Sequence, residues 1–305
     1  AAPEVTIYGP RVLALLRRAK ATLTAKYGVE LALPTYIEIF ADQKDFAVRT
    51  FGLPDVPGFL GVCFGRVVTA NGPAATGGRP VNWESVLWHE FCHAVTLQLT
   101  RNRMPRWLSE GISVYEERQA DPAWGMRLDA RSREKIAKDE LTPVSSLSAA
   151  FLAPKSSDSL QFAYLEASLV VEFIINHYGL DHLRGVLAAL RDGHEINPAL
   201  EANVAPLAQL EKEFAAFAHE RANRFAPGLE WARPGANLLE PDAADELAAW
   251  QEKHPNNYWA LTMRARQLTE DQNWAEARVV LGRLTELNPS EKGADTPYRP
   301  LVAAL

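Results

Sequence analysis

Two histidines four residues apart constrain this chain more than any other feature. Residues 89–93 read His-Glu-Phe-Cys-His inside a strongly apolar stretch. On a helix, positions i and i+4 leave the same face one turn apart, so the imidazoles of His89 and His93 reach one metal ion together. Glu90 then stands beside that ion without being forced to bind it. A catalytic metal also needs a third protein ligand and an open position for water. Glu110 is the candidate ligand, with sixteen residues between it and His93. Pro105 lies where a helix starts, and Trp107, Leu108, Ile112 and Tyr115 follow at helical spacing, so a second helix packs beside the first and presents Glu110 to it. Glu117 is seven residues further on and shares the face of Glu110. It either accepts a hydrogen bond from a ligand histidine or is an ordinary glutamate near a helix end.

The pairing of His89-Glu90-Phe91-Cys92-His93 with Trp107-Leu108-Ser109-Glu110-Gly111 resembles the gluzincin metallopeptidases. More closely, residues from about 4 to 225 resemble the peptidase MA-like family of largely uncharacterised bacterial proteins. The resemblance implies one Zn2+ held by His89, His93 and Glu110, with Glu90 as the general base of peptide-bond hydrolysis. It also implies that the segment from Ala163-Tyr164 to Tyr178-Gly179 closes the cleft, which makes Tyr164 a candidate donor to the transition-state oxyanion. In zincins the strand before the metal helix pairs with extended substrate, a task the resemblance gives to residues near 61–70. The competing reading treats His89 and His93 as ordinary histidines of an amphipathic helix. It leaves Glu90 and Glu110 as unexplained charges on apolar faces, where unpaired charge is costly. For Tyr164 the competing reading is a packed aromatic with its hydroxyl at the surface.

Aminopeptidases of the related family carry a Gly-x-Met-Glu-Asn motif whose glutamate grips the substrate's free amine. Residues 59–75 here contain no acidic side chain, which favours internal cleavage. A function of a different class is a peptide- or partner-binding scaffold with a latent or structural metal site, although a structural zinc usually fills its fourth position with Cys or His.

At 305 residues and 47% hydrophobic, with 8 Trp and 12 Phe, the chain has material for one sizeable core and a smaller second unit. A net charge of −6 without a long basic run argues against nucleic acid as a partner. No apolar stretch is long enough for a transmembrane segment. Cys63 and Cys92 permit one disulfide at most, and Cys92 inside the metal helix is expected to pack as a small apolar residue. The start at Ala1-Ala2-Pro3 fits a processed export signal or a trimmed chain, and leans towards a periplasmic or secreted setting.

Along the chain, Val5–Tyr8 reads as a short strand, Arg11–Tyr27 as an amphipathic helix, Thr35–Phe40 as a strand and Gln43–Phe51 as a short helix. Gly61–Ala70 reads as a third strand with two internal glycines, followed by a Gly/Ala/Pro-rich loop over 71–79. The metal helix is expected from Asn82 or Trp83 to Leu99. Helices follow from Gln161 to His177, from Asp181 to Arg191 and from Pro206 to Phe225. His177, His182, His194, His219 and His254 have no spacing that ties them to the metal residues.

Pro227, Gly228, Pro234 and Gly235 mark a boundary. Beyond it, Ala243, Leu247, Trp250 and Pro255 recur thirty-four residues later as Ala277, Leu281, Leu284 and Pro289, with Ala265 and Leu268 between them. The period resembles tetratricopeptide repeats, which offer a protein partner a helical surface. Residues 290–305 read as the start of another repeat, which suggests a longer natural chain. The fold expected is α+β. A zincin-like domain over 1–227 holds a small N-terminal mixed sheet, the metal helix and a mainly α region, and 236–305 forms a tetratricopeptide-like helical region.

Overall fold

A computed structural model describes residues 3–31, 34–54, 58–76, 81–239 and 244–288. The chain divides into two compact units, one of residues 1–128 and 138–218, the other of residues 129–137 and 219–305. The sequence boundary near 227–236 therefore lies inside the second unit, which also takes in the short helix just before Lys138.

The first unit opens with a single helical turn, α1 (Pro3–Thr6), leading into α2 (Gly9–Tyr27). The strand expected at Val5–Tyr8 does not form. Four alternating residues are too short a signal to decide the matter, and Pro10 in the first turn of α2 instead favours a helix start here. Gly28, at φ 64°, closes α2 in the left-handed conformation that glycine adopts without strain. Strand β1 (Tyr36–Phe40) then leads to α3 (Gln43–Phe51), whose first amides are capped by the Asp42 carboxylate.

Where one strand was expected over Gly61–Ala70, the chain forms a hairpin, β2 (Gly61–Cys63) and β3 (Val67–Asn71). Gly65 at φ 73° allows the reversal, with the Phe64 amide donating to the Val67 carbonyl at 2.8 Å. The sheet order is β1-β3-β2, with β1 parallel and β2 antiparallel to β3. Thus β3 is central and β2 lies at the edge of this mixed sheet. Val62 opposes Thr69, and the backbones of Leu60 and Phe64 bond to β3. By the alternation of an antiparallel ladder, the amides and carbonyls of Gly61 and Cys63 point away from it.

Helix α4 (Trp83–Leu99) starts at Asn82, whose side chain accepts from the Ser85 amide at 3.1 Å. It is apolar on nearly every side because it is covered nearly all round: α2, β2, β3 and the next helix, α5 (Arg106–Ala120), all pack on it. Leu87, Trp88, Phe91, Cys92, Ala94 and Val95 are its core residues. After α6 (Ala130–Ala137), α7 (Leu147–Leu152) precedes α8 (Ser157–Phe173), which is capped reciprocally by Ser156 and Ser159. Helix α8 therefore begins four residues before Gln161 and ends in a π-helical turn, Ile174–Tyr178. Helices α9 (Leu180–Arg191), α10 (Ile196–Asn203) and α11 (Leu207–Arg224) follow.

Helices α5 and α8 pack closely against each other. A Cβ on Gly111 would lie 2.7 Å from the Ala167 carbonyl oxygen, so only glycine lets the two backbones touch. Arg118 of α5 fixes the register by donating to the Ser168 hydroxyl and the Met126 carbonyl, each at 3.0 Å.

In the second unit, Trp231 stacks on Tyr258 at 5.0 Å, with the Arg133 guanidinium 4.3 Å over the Trp231 ring. Helix α12 (Ala244–Lys253) precedes α13 (Tyr258–Glu270) and α14 (Trp274–Leu287). The last two pack as a helical hairpin, burying Ala260, Ala265 and Leu268 of one and Ala277, Leu281 and Leu284 of the other. Ala243, Pro289 and residues 290–305 lie outside the described residues. No helix among the described residues is long and apolar enough to cross a membrane.

Candidate metal centre

Helix α4 holds His89 and His93 with ring centroids 4.7 Å apart, and both imidazoles turn Nε2 towards α5. There the Glu110 Oε2 lies 3.1 Å from His89 Nε2 and 3.4 Å from His93 Nε2. Ligand atoms of these three residues lie within 4.8 Å of one another, and they form the one such His/Cys/Asp/Glu group among the described residues. His177, His182 and His254 lie apart from it, beside Glu213, the Asn203 carbonyl and Glu230 respectively.

The opposite nitrogens are committed elsewhere. His89 Nδ1 lies 2.6 Å from Glu117 Oε1, and the other Glu117 oxygen accepts from the Ser85 hydroxyl. A carboxylate can only accept, so Nδ1 carries the proton. For His93, Nδ1 lies 2.8 Å from Ser109 Oγ and 3.2 Å from Ser113 Oγ. The Ser113 hydroxyl donates to the His89 carbonyl at 3.3 Å, which leaves Ser113 to accept from the ring. Both tautomers are thereby set with Nε2 facing Glu110, as metal ligation by Nε2 demands. Two imidazole nitrogens and one carboxylate oxygen form a donor set that could hold a metal ion.

The charges interlock. Burial disfavours the charged form of His89, but the Glu117 and Glu110 carboxylates outweigh it and hold its pKa well above the ordinary value. Burial likewise works against the Glu110 anion, yet hydrogen bonds to His89 and His93 hold its pKa well below the usual carboxylate range.

Glu90 is buried, and that burial raises its pKa. It sits under the sheet edge: a Cβ on Gly61 would lie 2.7 Å from Glu90 Cγ and 3.0 Å from its Oε1. Tyr164 reaches the centre from α8. Gly111 follows Glu110 and Ala167 lies one turn after Tyr164, so the close crossing of α5 and α8 also carries the phenol towards Glu110. Its hydroxyl accepts from Arg106 Nη2 at 3.0 Å, and burial pushes its pKa up to about 12. The same guanidinium donates through Nε to Glu110 Oε1 at 3.4 Å. Phe151 packs against the phenol at 5.0 Å and lies 5.9 Å from the Arg106 guanidinium. Cys92 is buried and free, and Cys63, half-buried and free, lies near enough to Glu90 to feel its charge.

The sequence reading did not single out Ser85, Ser109, Ser113 or Arg106. The signal available was weak: Ser109 and Ser113 are small polar residues at helical spacing on the same side as Glu110, at positions an apolar residue could have filled.

Residues 17–219 match the family described as the Peptidase MA superfamily, about two thirds of the chain and including α4, α5 and α8. No curated protein and no solved structure matches the chain.

Proposed function

The chain belongs to the Peptidase MA superfamily, and from that premise we propose that it is a zinc-dependent metallopeptidase that cuts peptide bonds within a chain. The observation that carries this reading is the convergence of His89 Nε2 and His93 Nε2 on Glu110 Oε2, with both Nδ1 atoms held from behind. His89, His93 and Glu110 would hold one Zn2+, which when bound acts as a Lewis acid and brings the pKa of a water from about 15.7 to near 7.

The rest of the chemistry falls to the protein's own groups. The Glu90 carboxylate takes the proton of the attacking water and returns it to the leaving amine. Its burial suits the task, since a carboxylate with a raised pKa is a stronger base. The Tyr164 hydroxyl accepts from Arg106 and its own proton faces Glu110, from which it would turn to donate to the developing oxyanion. Substrate in extended form would pair with the outward amides and carbonyls of Gly61 and Cys63 on β2, which gives affinity with little dependence on side chains. No acidic residue lies in 59–75 to grip a free amine, which supports internal cleavage. The α13–α14 hairpin is the surface we assign to a protein partner.

The test is mass-spectrometric profiling of a mixed peptide library with the zinc-loaded protein. Glu90→Gln should keep the metal and lose turnover. Undiminished turnover in that variant would sink the assignment, and zinc binding without any cleavage would favour a binding scaffold.

A further inference from the structure

We propose that Arg106 is a positioning residue that ties the metal ligand Glu110 to Tyr164, so that ligand and oxyanion donor move as one unit. The inference rests on the metallopeptidase reading but adds to it a group outside the ligand set. Arg106 opens α5 one turn before Glu110, and its guanidinium is shared between two groups. Nε faces Glu110 Oε1 at 3.4 Å, and Nη2 faces the Tyr164 hydroxyl at 3.0 Å.

The geometry divides the Glu110 carboxylate. Oε2 faces the two imidazoles and Oε1 faces Arg106. The Arg106 contact to Oε1 opposes rotation of that oxygen towards the histidines. The division also settles the phenol. Arginine only donates, so the Tyr164 oxygen must accept from it and the phenol proton is turned away from Arg106 towards Glu110, which it also meets directly. The planar fork is what allows one side chain to serve both groups in fixed directions, which a lysine ammonium cannot reproduce. Phe151 backs the arrangement, packing against both the Tyr164 ring and the guanidinium.

The sign of one measurement separates this role from simple electrostatics. A cation beside a divalent metal repels it, so if Arg106 contributed charge alone, Arg106→Ala would bind zinc more tightly. If it positions Glu110, the same variant binds zinc more weakly, by about tenfold or more, the range typical of groups that orient ligands. Zinc affinity is read by competition with a chromogenic chelator and needs no substrate. Arg106→Lys keeps the charge without the fork and should bind zinc more weakly than the wild type. In turnover, Arg106→Ala should lower kcat about tenfold with KM little changed. In a Tyr164→Phe background the same substitution should cost less in kcat while weakening zinc as before. The d–d spectrum of the cobalt-substituted Arg106→Ala protein should differ from that of the wild type, as a reoriented Glu110 requires.

Zinc bound as tightly or more tightly by Arg106→Ala overturns the proposal, as does full function in Arg106→Lys. A rise in KM at unchanged kcat would assign Arg106 to substrate binding instead. Because affinity is measured without turnover, a wild type that binds zinc but cleaves nothing still tests the Arg106 inference while ending the peptidase reading. Melting temperatures of the variants, expected close to the wild type, exclude a folding defect as the cause.

Discussion

Gly61 on the edge strand lies so close to Glu90 that a methyl group added there would stand 2.7 Å from the glutamate's Cγ and 2.9 Å from Val86 Cγ1. A Cβ does not tolerate such distances, and the glutamate is the movable party. Gly61→Ala should therefore displace the proposed base while leaving His89, His93 and Glu110 in place. The expected outcome is a loss in kcat of up to about a hundredfold, the scale of an error of about 1 Å in a reacting group. Zinc affinity should hold within about twofold, and parallel loss of both would show that the strand supports the whole centre.

Glu117 carries the load behind His89. Glu117→Gln keeps the shape but exchanges an anionic acceptor for a neutral one, at a distance of 2.6 Å in the native pair. Zinc affinity should fall about 10- to 100-fold in a chelator competition. Ser109→Ala should cost less, because Ser113 still offers His93 an acceptor at 3.2 Å.

The α5–α8 crossing sets stability. In Gly111→Ala the new methyl meets backbone, 2.7 Å from the Ala167 oxygen and 2.8 Å from its carbonyl carbon. Neither helix can yield locally, so the protein should lose about 1–3 kcal/mol. A thermal melt no lower than that of the wild type would contradict the packing described.

A further buried carboxylate, Glu116, is held by Tyr27 Oη at 2.5 Å and Lys26 Nζ at 2.7 Å, both from the last turn of α2. Tyr27→Phe removes one donor and should cost about 1–3 kcal/mol. Lys26→Met removes the cation from a carboxyl group only 1% exposed and should cost more, about 3–5 kcal/mol. Urea titration that ranks the two in reverse order would show the hydroxyl to be the stronger partner.

Without the proposed metal, His89, His93 and Glu110 pair with one another and with Glu117, Ser109 and Arg106. The melting temperature of chelator-treated protein should rise with added zinc, with a stabilisation of about 2.7 kcal/mol at a hundredfold excess over Kd. His93→Ala should flatten that dependence.

The clustering of His89, His93 and Glu110 was legible because its information is local. Four residues of helix place His89 beside His93, and the Pro-Arg-Trp-Leu-Ser-Glu-Gly run announces a second apolar helix with one acid in it. Ser109 and Ser113 were not, since a serine on a buried helix face announces no partner until α4 is laid against it. Arg106 reads as a solvated charge, and only the passage of α8 across Gly111 brings Tyr164 within its reach. In the sheet, Gly61–Ala70 reads as a strand apart from its two glycines, and the reversal depends on Gly65 taking the left-handed conformation. The Val5–Tyr8 segment failed for the opposite reason: its alternation is real, but four residues carry too little of it. Helix α3 and the metal helix, by contrast, begin at an Asp and an Asn that cap them, so their bounds could be read directly.

Arg106, Ser109, Glu110, Ser113 and Glu117 occupy one fifteen-residue helix, α5, within an arc of about 100° at 3.6 residues per turn. That helix works as a ruler whose marks are all read from the same side. A point substitution erases one mark, but a single inserted residue after Glu110 turns everything downstream by about 100° and carries Ser113 and Glu117 off their histidines together. The helix can therefore change its amino acids but not its count.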